Sequence, residues 1–483
     1  MAVPVIANPS DSNVQFDGEL IGKLSQQGPR YTSYPTADRF TTDFRIGDYL
    51  QAVNEVRALG VRNPLSLYLH IPFCEKLCYY CACNKVVTKH HSKAAVYLTY
   101  LKREIDMQGR LFADMNHVEQ LHLGGGTPTF LTDEQLKDLM AHLRRWFNFA
   151  TDEIGEYSIE VDPRTVTGER IHSLREIGFN RISFGVQDFD PDVQKAVNRI
   201  QSEESTLEVI RAAREAEFRS VSIDLIYGLP KQNLATMEST LNKVIAADPD
   251  RISIYNYAHM PHVFKAQRRI AEDALPAPEV KLEMLSLCIE KLTRAGYVYI
   301  GMDHFAKPND ELAVAQRQGR LHRNFQGYST HAGSEMVSCG LSAISAVGAT
   351  YSQNEKTLEA YYERIEQGEL PIARGIKLSL DDLLRRIIIQ TLMCNFELPM
   401  RSMETAYPIQ FGDYFGREMD KLRVMESMGL LTIDEDWITV TPKGRLVIRN
   451  ICMVFDRYLA LPRPDAAAHS GANVVPLRFS RTI

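Results

Sequence analysis

The chain has 483 residues, 45% apolar and 24% charged, the values of an ordinary globular protein long enough for a large domain and one or two smaller units. Its net charge of −6 gives no global case for nucleic-acid binding. No run approaches the roughly eighteen uninterrupted apolar residues of a membrane-spanning helix. No basic region precedes the short apolar run at the N-terminus, so a signal peptide is not expected. Eight cysteines are too sparse for a disulfide scaffold; four lie between Cys74 and Cys83, whereas Cys288, Cys339, Cys394 and Cys452 sit in apolar contexts as buried small hydrophobes. Clustered thiols without an export signal point to a metal or cluster in a reducing compartment, and a cytoplasmic protein is expected.

Residues 1–64 form an N-terminal arm with a turn-rich stretch, Gly28–Thr36. Strands are expected at Leu65–Ile71, Gln120–Gly124, Tyr157–Asp162, Arg181–Val186, Ser220–Tyr227 and Arg251–Tyr257. Between them lie amphipathic stretches of helix length, including Ala94–Leu111, Asp133–Trp146, Pro191–Glu217 and Thr236–Ala246. Strand then helix, six times over, predicts an α/β fold with a parallel sheet, curved into an incomplete (β/α)6 TIM-like barrel. The barrel and its extension are expected over residues 65–370, with a long helix and a strand near Tyr297–Asp303. A mostly helical C-terminal domain follows at 371–461, with helices Asp381–Met393 and Tyr414–Met428. A hairpin, Leu430–Ile433 and Trp437–Val440, and a closing helix, Gly444–Leu459, complete a winged-helix-like unit. Residues 462–483 read as a flexible tail, with a Pro/Ala/His-rich linker at Pro462–Pro476.

Directly after the first strand, Cys74, Cys78 and Cys81 form a C-x3-C-x2-C cluster. Three thiolates in one loop can ligate three irons of a cubane cluster and leave the fourth open to a small molecule. A structural zinc site would want two separated ligand pairs, and no second Cys/His pair follows at that distance. Cys83 lies too close to Cys81 to join the same metal without strain, and serves substrate chemistry or local structure instead. Gly124-Gly125-Gly126-Thr127-Pro128-Thr129 follows the second strand, where glycines let backbone approach a ligand and present N–H groups. Glu160, Gln187 and Asp224 fall at strand ends, with Arg199 on the helix after Gln187. Such carboxylates accept from ribose hydroxyls and such an arginine pairs with a ligand carboxylate, although capping or salt-bridge roles fit each one singly.

The cysteine spacing and the Gly-Gly-Gly-Thr-Pro turn resemble the radical S-adenosylmethionine (SAM) superfamily. More narrowly, residues 28–460 resemble the oxygen-independent coproporphyrinogen III oxidases. The runs that carry the resemblance are Gly28–Thr36, Tyr68–Lys85, His122–Thr129, Ile159–Arg164, Gly185–Phe189, Ile223–Gln232, Gly301–Ala306, Phe325–Tyr328 and Arg449–Asp456. The longer N-terminus and the Pro/Ala-rich stretch near the C-terminus depart from the family outside these motifs. The resemblance implies a radical SAM barrel whose N-terminal arm contributes to the active site. It implies that Cys74, Cys78 and Cys81 hold a 4Fe–4S cluster, with Tyr68, Gly125 and Glu160 around a first SAM. Around a second SAM it implies Tyr80, Gly126, Thr127, Gln187, Arg199, Asp224, Ala258 and Ile344; tyrosine at position 80 is a mild variation on the family's aromatic.

The implied reaction is the conversion of coproporphyrinogen III to protoporphyrinogen IX in haem biosynthesis. The ring A and B propionates become vinyls after a SAM-derived 5′-deoxyadenosyl radical removes a Cβ hydrogen. That hydrogen is unactivated and out of reach of a side-chain base at neutral pH, so a cofactor must supply the chemistry. An electron donor such as flavodoxin or ferredoxin and a monomeric state are further implications. Four substrate carboxylates call for cations, and Arg30, Arg268–Arg269 and Arg385–Arg386 are the candidates, each also readable as an ordinary surface charge. The alternatives are a haem chaperone of the same superfamily and a zinc-stabilised winged-helix regulator. Gly28–Thr36, Cys83 and the chain length all favour the oxidase over the chaperone.

Overall fold

The computed structural model describes residues 13–60, 62–461 and 479, so the expected linker at Pro462–Pro476 lies outside the described residues. Six parallel strands form its centre: β1 (Leu65–Ile71), β2 (His117–Gly125), β3 (Glu156–Val161), β4 (Arg181–Gln187), β5 (Ser220–Tyr227) and β6 (Arg251–Asn256). They pair in sequence order, with Leu67 of β1 level with Leu121 of β2 and Ile182 of β4 level with Val221 of β5. β1 is buried at six of its seven positions, as expected of a strand covered on both faces.

Helices cover the outer face. Asp133–Trp146 begins with a reciprocal cap, Thr132 Oγ1 accepting from Gln135 N while the Gln135 side chain accepts from Thr132 N. It buries Leu136, Leu139, Met140 and Leu143, one stripe at helical spacing. Helix Ser92–Leu111 contributes Glu104, whose carboxylate accepts from Gly340 N at 2.7 Å, Asn354 Nδ2 at 2.7 Å and Tyr361 OH at 2.5 Å. One buried acid thereby ties the helix layer to strands beyond the barrel.

Those strands went unread in the sequence. Glu335–Cys339 adds in parallel to β1, and Ile344–Val347, Thr350–Asn354 and Ile372–Lys377 continue antiparallel, beyond the boundary expected at residue 370. At the other edge the single strand expected near Tyr297–Asp303 is two, Val298–Gly301 and His304–Ala306, because the chain reverses at Met302 with φ 54°.

Three expected helices are interrupted. Pro191–Glu217 is Pro191–Ala196 and Glu203–Glu215, with Asn198 at φ 54° between them. Tyr414–Met428 is Phe411–Tyr414 and Gly416–Ser427. Gly444–Leu459 is a 3-10 turn at Gly444–Val447, helix Ile448–Val454 and a second 3-10 turn at Arg457–Ala460. The hairpin is present as Leu431–Ile433 and Trp437–Val440, to which Glu397–Pro399 adds a third antiparallel strand. Among the described residues no helix is long and apolar enough to cross a membrane.

The N-terminal arm is clasped by the last helical segment. Arg449 donates to the Gly28 and Pro29 carbonyls, Tyr31 OH to Asp456 Oδ2 at 2.9 Å, and Arg39 to the Tyr458 carbonyl. Replacing Glu104 by Gln turns one acceptor into a donor facing donors, so it should lower the unfolding free energy by about 1–3 kcal/mol in urea melts. An unchanged midpoint would show that the acid does not carry this joint.

Candidate active site

Past β1 the chain enters the cysteine loop, where Cys74, Cys78 and Cys81 line a cavity of about 290 Å3 at the C-terminal ends of the strands. The loop is fixed from both sides. Thr88 N donates to Cys74 O at 2.9 Å, Tyr79 N to Val197 O at 3.0 Å, and Asn198 Nδ2 to Leu77 O at 2.7 Å. The break at Asn198 is thus the point at which the β4 connection grips the loop.

The same break carries Arg199, which lies in the interruption and not on the helix where it was expected. Arg199 Nη1 and Arg164 Nη2 each approach Cys78 Sγ to 3.5 Å, and both guanidiniums pair with Asp162. Thr127 Oγ1 donates to Cys74 Sγ at 3.4 Å. Burial pushes the Cys74 thiol up to about 11, whereas a hydrogen bond from Cys83 outweighs burial at Cys81 and brings it to about 6. Cys83 itself lies on the cavity wall. Among the described residues no three His, Cys, Asp or Glu side chains converge closely enough to ligate one ion. Three thiols ringing a cavity, under two guanidiniums that offset negative charge, fit a multi-iron cluster with one thiol to an iron.

The glycine turn differs from expectation. A Cβ on Gly126 would sit 2.6 Å from the Pro72 carbonyl oxygen, and Gly125, at φ +114°, would press a Cβ onto the His70 ring at 2.7 Å. Gly126 N donates to Ile71 O at 2.8 Å and Gly125 N to Glu160 Oε2 at 3.3 Å. These glycines let the turn pack against the cysteine loop, and both N–H groups are used within the protein.

Tyr80, Gly125, Gly126, Thr127 and Glu160 share the cavity with the thiols, as do Gln187, Arg199 and Asp224. Gln187 stands at φ 68° with its Oε1 buried and without a partner. Glu160 Oε1 meets His122 Nε2 at 3.1 Å; burial opposes its ionisation, but His122 and the Gly125 N–H hold it below the usual carboxylate range. Tyr68 lies beneath, stacked on His122 with ring centroids 5.8 Å apart and its OH 3.1 Å from His70 Nδ1. Ala258 and Ile344 do not line this cavity, although the Ala258 and Tyr80 carbonyls accept from the same Gln267 Nε2, at 3.2 and 3.0 Å. Ala258 lines a second, larger cavity, and Ile344 packs with Phe40, Phe325 and Tyr351 on the extension strands. His70, His122, Asp162 and Arg164 were missed; the signal was a polar residue on an inward strand position or directly beside a motif.

The second cavity, about 850 Å3, opens past the ends of β5 and β6 between Tyr227, Asn256, Ala258 and His259, with Gly22 and Ser25 of the arm on its far side. Of the candidate cations, Arg30 pairs with Asp303 and lies over the Tyr255 ring, 5.8 Å from its centroid. Arg385 is committed to Asp381, Glu418 and the Phe455 carbonyl. Arg268 donates to the Pro261 carbonyl, and Arg269 covers Tyr79.

An incomplete parallel barrel with three thiols at its mouth is the radical SAM arrangement, and residues 68–244 match the radical SAM superfamily. Residues 378–447 match the HemN C-terminal domain. The chain is 50% identical over 446 residues to the oxygen-independent coproporphyrinogen III oxidase of Pseudomonas aeruginosa, covering 92% of this chain and 96% of the relative. To that of Escherichia coli it is 50% identical over 450 residues, covering 93% and 97%. A solved structure, described as coproporphyrinogen III oxidase (HemN) from Escherichia coli, a radical SAM enzyme, superposes with a TM-score of 0.87 at 48% identity, covering 92% of this chain and all (100%) of that one. The chain belongs to the oxygen-independent coproporphyrinogen III oxidase family.

Asp224 is the carboxylate in the cavity whose charge is opposed, whereas Glu160 and Asp162 are held ionised. Burial first, then the Glu160 carboxylate, raises it to about 6, with Ser183 Oγ donating at 3.2 Å. A folded-state value above the ordinary one means stability that is full below about pH 4 and lost as pH rises through 6. Asp224→Asn, whose amide the rotatable Ser183 hydroxyl accommodates, should therefore raise the unfolding free energy near pH 8 by about 1–3 kcal/mol, the gain shrinking toward about pH 5. Equal melts of the two proteins near pH 8 would contradict the assignment.

Proposed function

We propose that this chain performs the anaerobic oxidative decarboxylation of coproporphyrinogen III to protoporphyrinogen IX, each of two propionates losing one hydrogen atom, CO2 and one electron, the last to an external acceptor, to become a vinyl. The observation that carries this reading is the ring of Cys74, Cys78 and Cys81 on one cavity with Glu160, Gln187 and Asp224, in a chain matched along its length by oxidases of that name. A role in carrying haem without turnover has no comparable support.

Cys74, Cys78 and Cys81 would hold a 4Fe–4S cluster, with Arg164 and Arg199 offsetting the charge that gathers at Cys78. When bound, cluster and SAM supply the hydrogen-atom abstraction that an unactivated C–H requires and no side chain can perform. Glu160, fixed by His122, offers an ionised acceptor to one SAM beside Tyr68 and Gly125. A second SAM would meet Tyr80, Gly126, Thr127, Gln187, Arg199 and Asp224, with the unpartnered Gln187 Oε1 as a ready acceptor. Ala258, whose carbonyl shares the Gln267 amide with that of Tyr80, and Ile344 of the extension would complete its surroundings. The larger cavity has room for the tetrapyrrole, and Arg30 beside Tyr227 and Tyr255 is placed for one of its carboxylates. No side-chain acid or base is required: CO2 leaves from the carboxylate form, and the chain's task is to hold and to exclude water. The protein would act as a monomer in the cytoplasm, supplied by an electron donor such as flavodoxin or ferredoxin.

Anaerobic incubation of the reconstituted protein with SAM, a strong reductant and coproporphyrinogen III should yield protoporphyrinogen IX together with methionine and 5′-deoxyadenosine. SAM cleavage products without protoporphyrinogen would keep the superfamily and defeat this substrate. Arg30→Ala should raise the KM for the porphyrinogen about 10- to 100-fold, as loss of a charge-assisted hydrogen bond does, with iron content intact. An unchanged KM removes Arg30 from the pocket.

A further inference from the structure

Beside Tyr255 and Tyr328, among the described residues, Arg30 pairs with Asp303 while Arg323 faces no carboxylate. Arg323 belongs to a short hairpin, His322–Asn324 with Gly327–Ser329, and is 3% exposed. Its guanidinium lies over the Tyr328 ring, 4.7 Å from the centroid, yet its Nε and Nη1 are buried and have no hydrogen-bond partner. Among the described residues no carboxylate pairs with it, and Asp303 is taken by Arg30. The other charges in reach are cations: burial and then Arg323 lower Arg30 to about 10, and burial followed by Arg30 lowers Arg449 to about 9. His304 faces Tyr255 and Tyr328 edge-on, at 5.9 and 5.2 Å, and its buried Nδ1 is likewise unpartnered.

A buried, unpaired guanidinium is among the costliest groups a fold can carry, and donors left open in this way await an anion. The Arg30 side chain is 32% exposed and lies within electrostatic reach of Tyr227, which also walls the 850 Å3 cavity. On the coproporphyrinogen reading above, the anion is a carboxylate of the tetrapyrrole. We propose that Arg323, with His304 and Arg30, is the seat of a propionate that survives the reaction. A carboxylate held by buried cations is stabilised as the carboxylate and so resists loss as CO2, whereas a reacting propionate must lie toward Asp224 and Gln187, in the cavity of the thiols.

The test is porphyrin binding to the anaerobically reconstituted full chain, read by fluorescence with coproporphyrin III, which has four propionates, and protoporphyrin IX, which keeps only the surviving two. Arg323→Met should weaken both by the same factor, about 10- to 100-fold, as one lost charge-assisted contact would. Because it removes an uncompensated buried charge, its ligand-free melting temperature should equal or exceed that of the native chain. Undiminished affinity for both porphyrins overturns the seat, and a loss confined to coproporphyrin III overturns its assignment to a surviving propionate. If Arg323→Met fails to fold, Arg323→Lys decides in its place: native affinity for both porphyrins overturns the seat, and an equal loss for both supports it. A native chain without affinity for either porphyrin defeats the coproporphyrinogen reading, and the seat with it.

Discussion

One carboxylate, Asp162, organises the mouth of this barrel. It directs two guanidiniums at a single sulfur, Cys78 Sγ, and each comes from a different segment: Arg164 from the turn after β3, Arg199 from the broken connection after β4. Burial alone would discharge Asp162, yet the two arginines hold it below the usual carboxylate range. The consequence reaches outward. The chain bends at Asn198 to bring Arg199 inward, and the bend in turn holds the cysteine loop through Leu77 and Tyr79. Loop position, helix interruption and local charge are therefore one arrangement.

The glycine turn shows the same economy. Gly126 is small because the cysteine loop's own backbone runs past it, and Gly125 because the His70 ring does. The turn sets the height of the loop over β2, and the loop's height sets where the thiols meet the cavity. Recognition by exposed backbone was the simpler idea. Close packing of two motifs accounts for both glycines without it.

Most of the barrel was legible in sequence because its strands are buried on both faces and read as short apolar runs between turns. β1 and β5 carry the residue bounds expected, as does the helix Asp133–Trp146. What failed was whatever lacked a local period. The strands Ile344–Val347, Thr350–Asn354 and Ile372–Lys377 are short and partly polar; they pair with near neighbours in the chain, and only Glu335–Cys339, which ties them to β1, has its partner far off. Arg199 was placed on a helix because amphipathic spacing runs through the break unaltered. In the site, residues within recognisable motifs were found, whereas their polar neighbours His70, His122, Asp162 and Arg164 were not. Arg30, His304, Arg323 and Arg449 come from four separate segments, and only folding makes them neighbours.

The clasp between the two ends of the chain has a consequence for synthesis. Gly28 and Pro29 rest on Arg449, and Tyr31 on Asp456, so this segment finds its partners 420 to 425 residues further along the chain. The six barrel strands can pair as they emerge, each beside its predecessor. Arg30 waits for Asp303, which follows all six strands. In a growing chain the six strands and the cysteine loop between them therefore precede the clasp that fixes the arm.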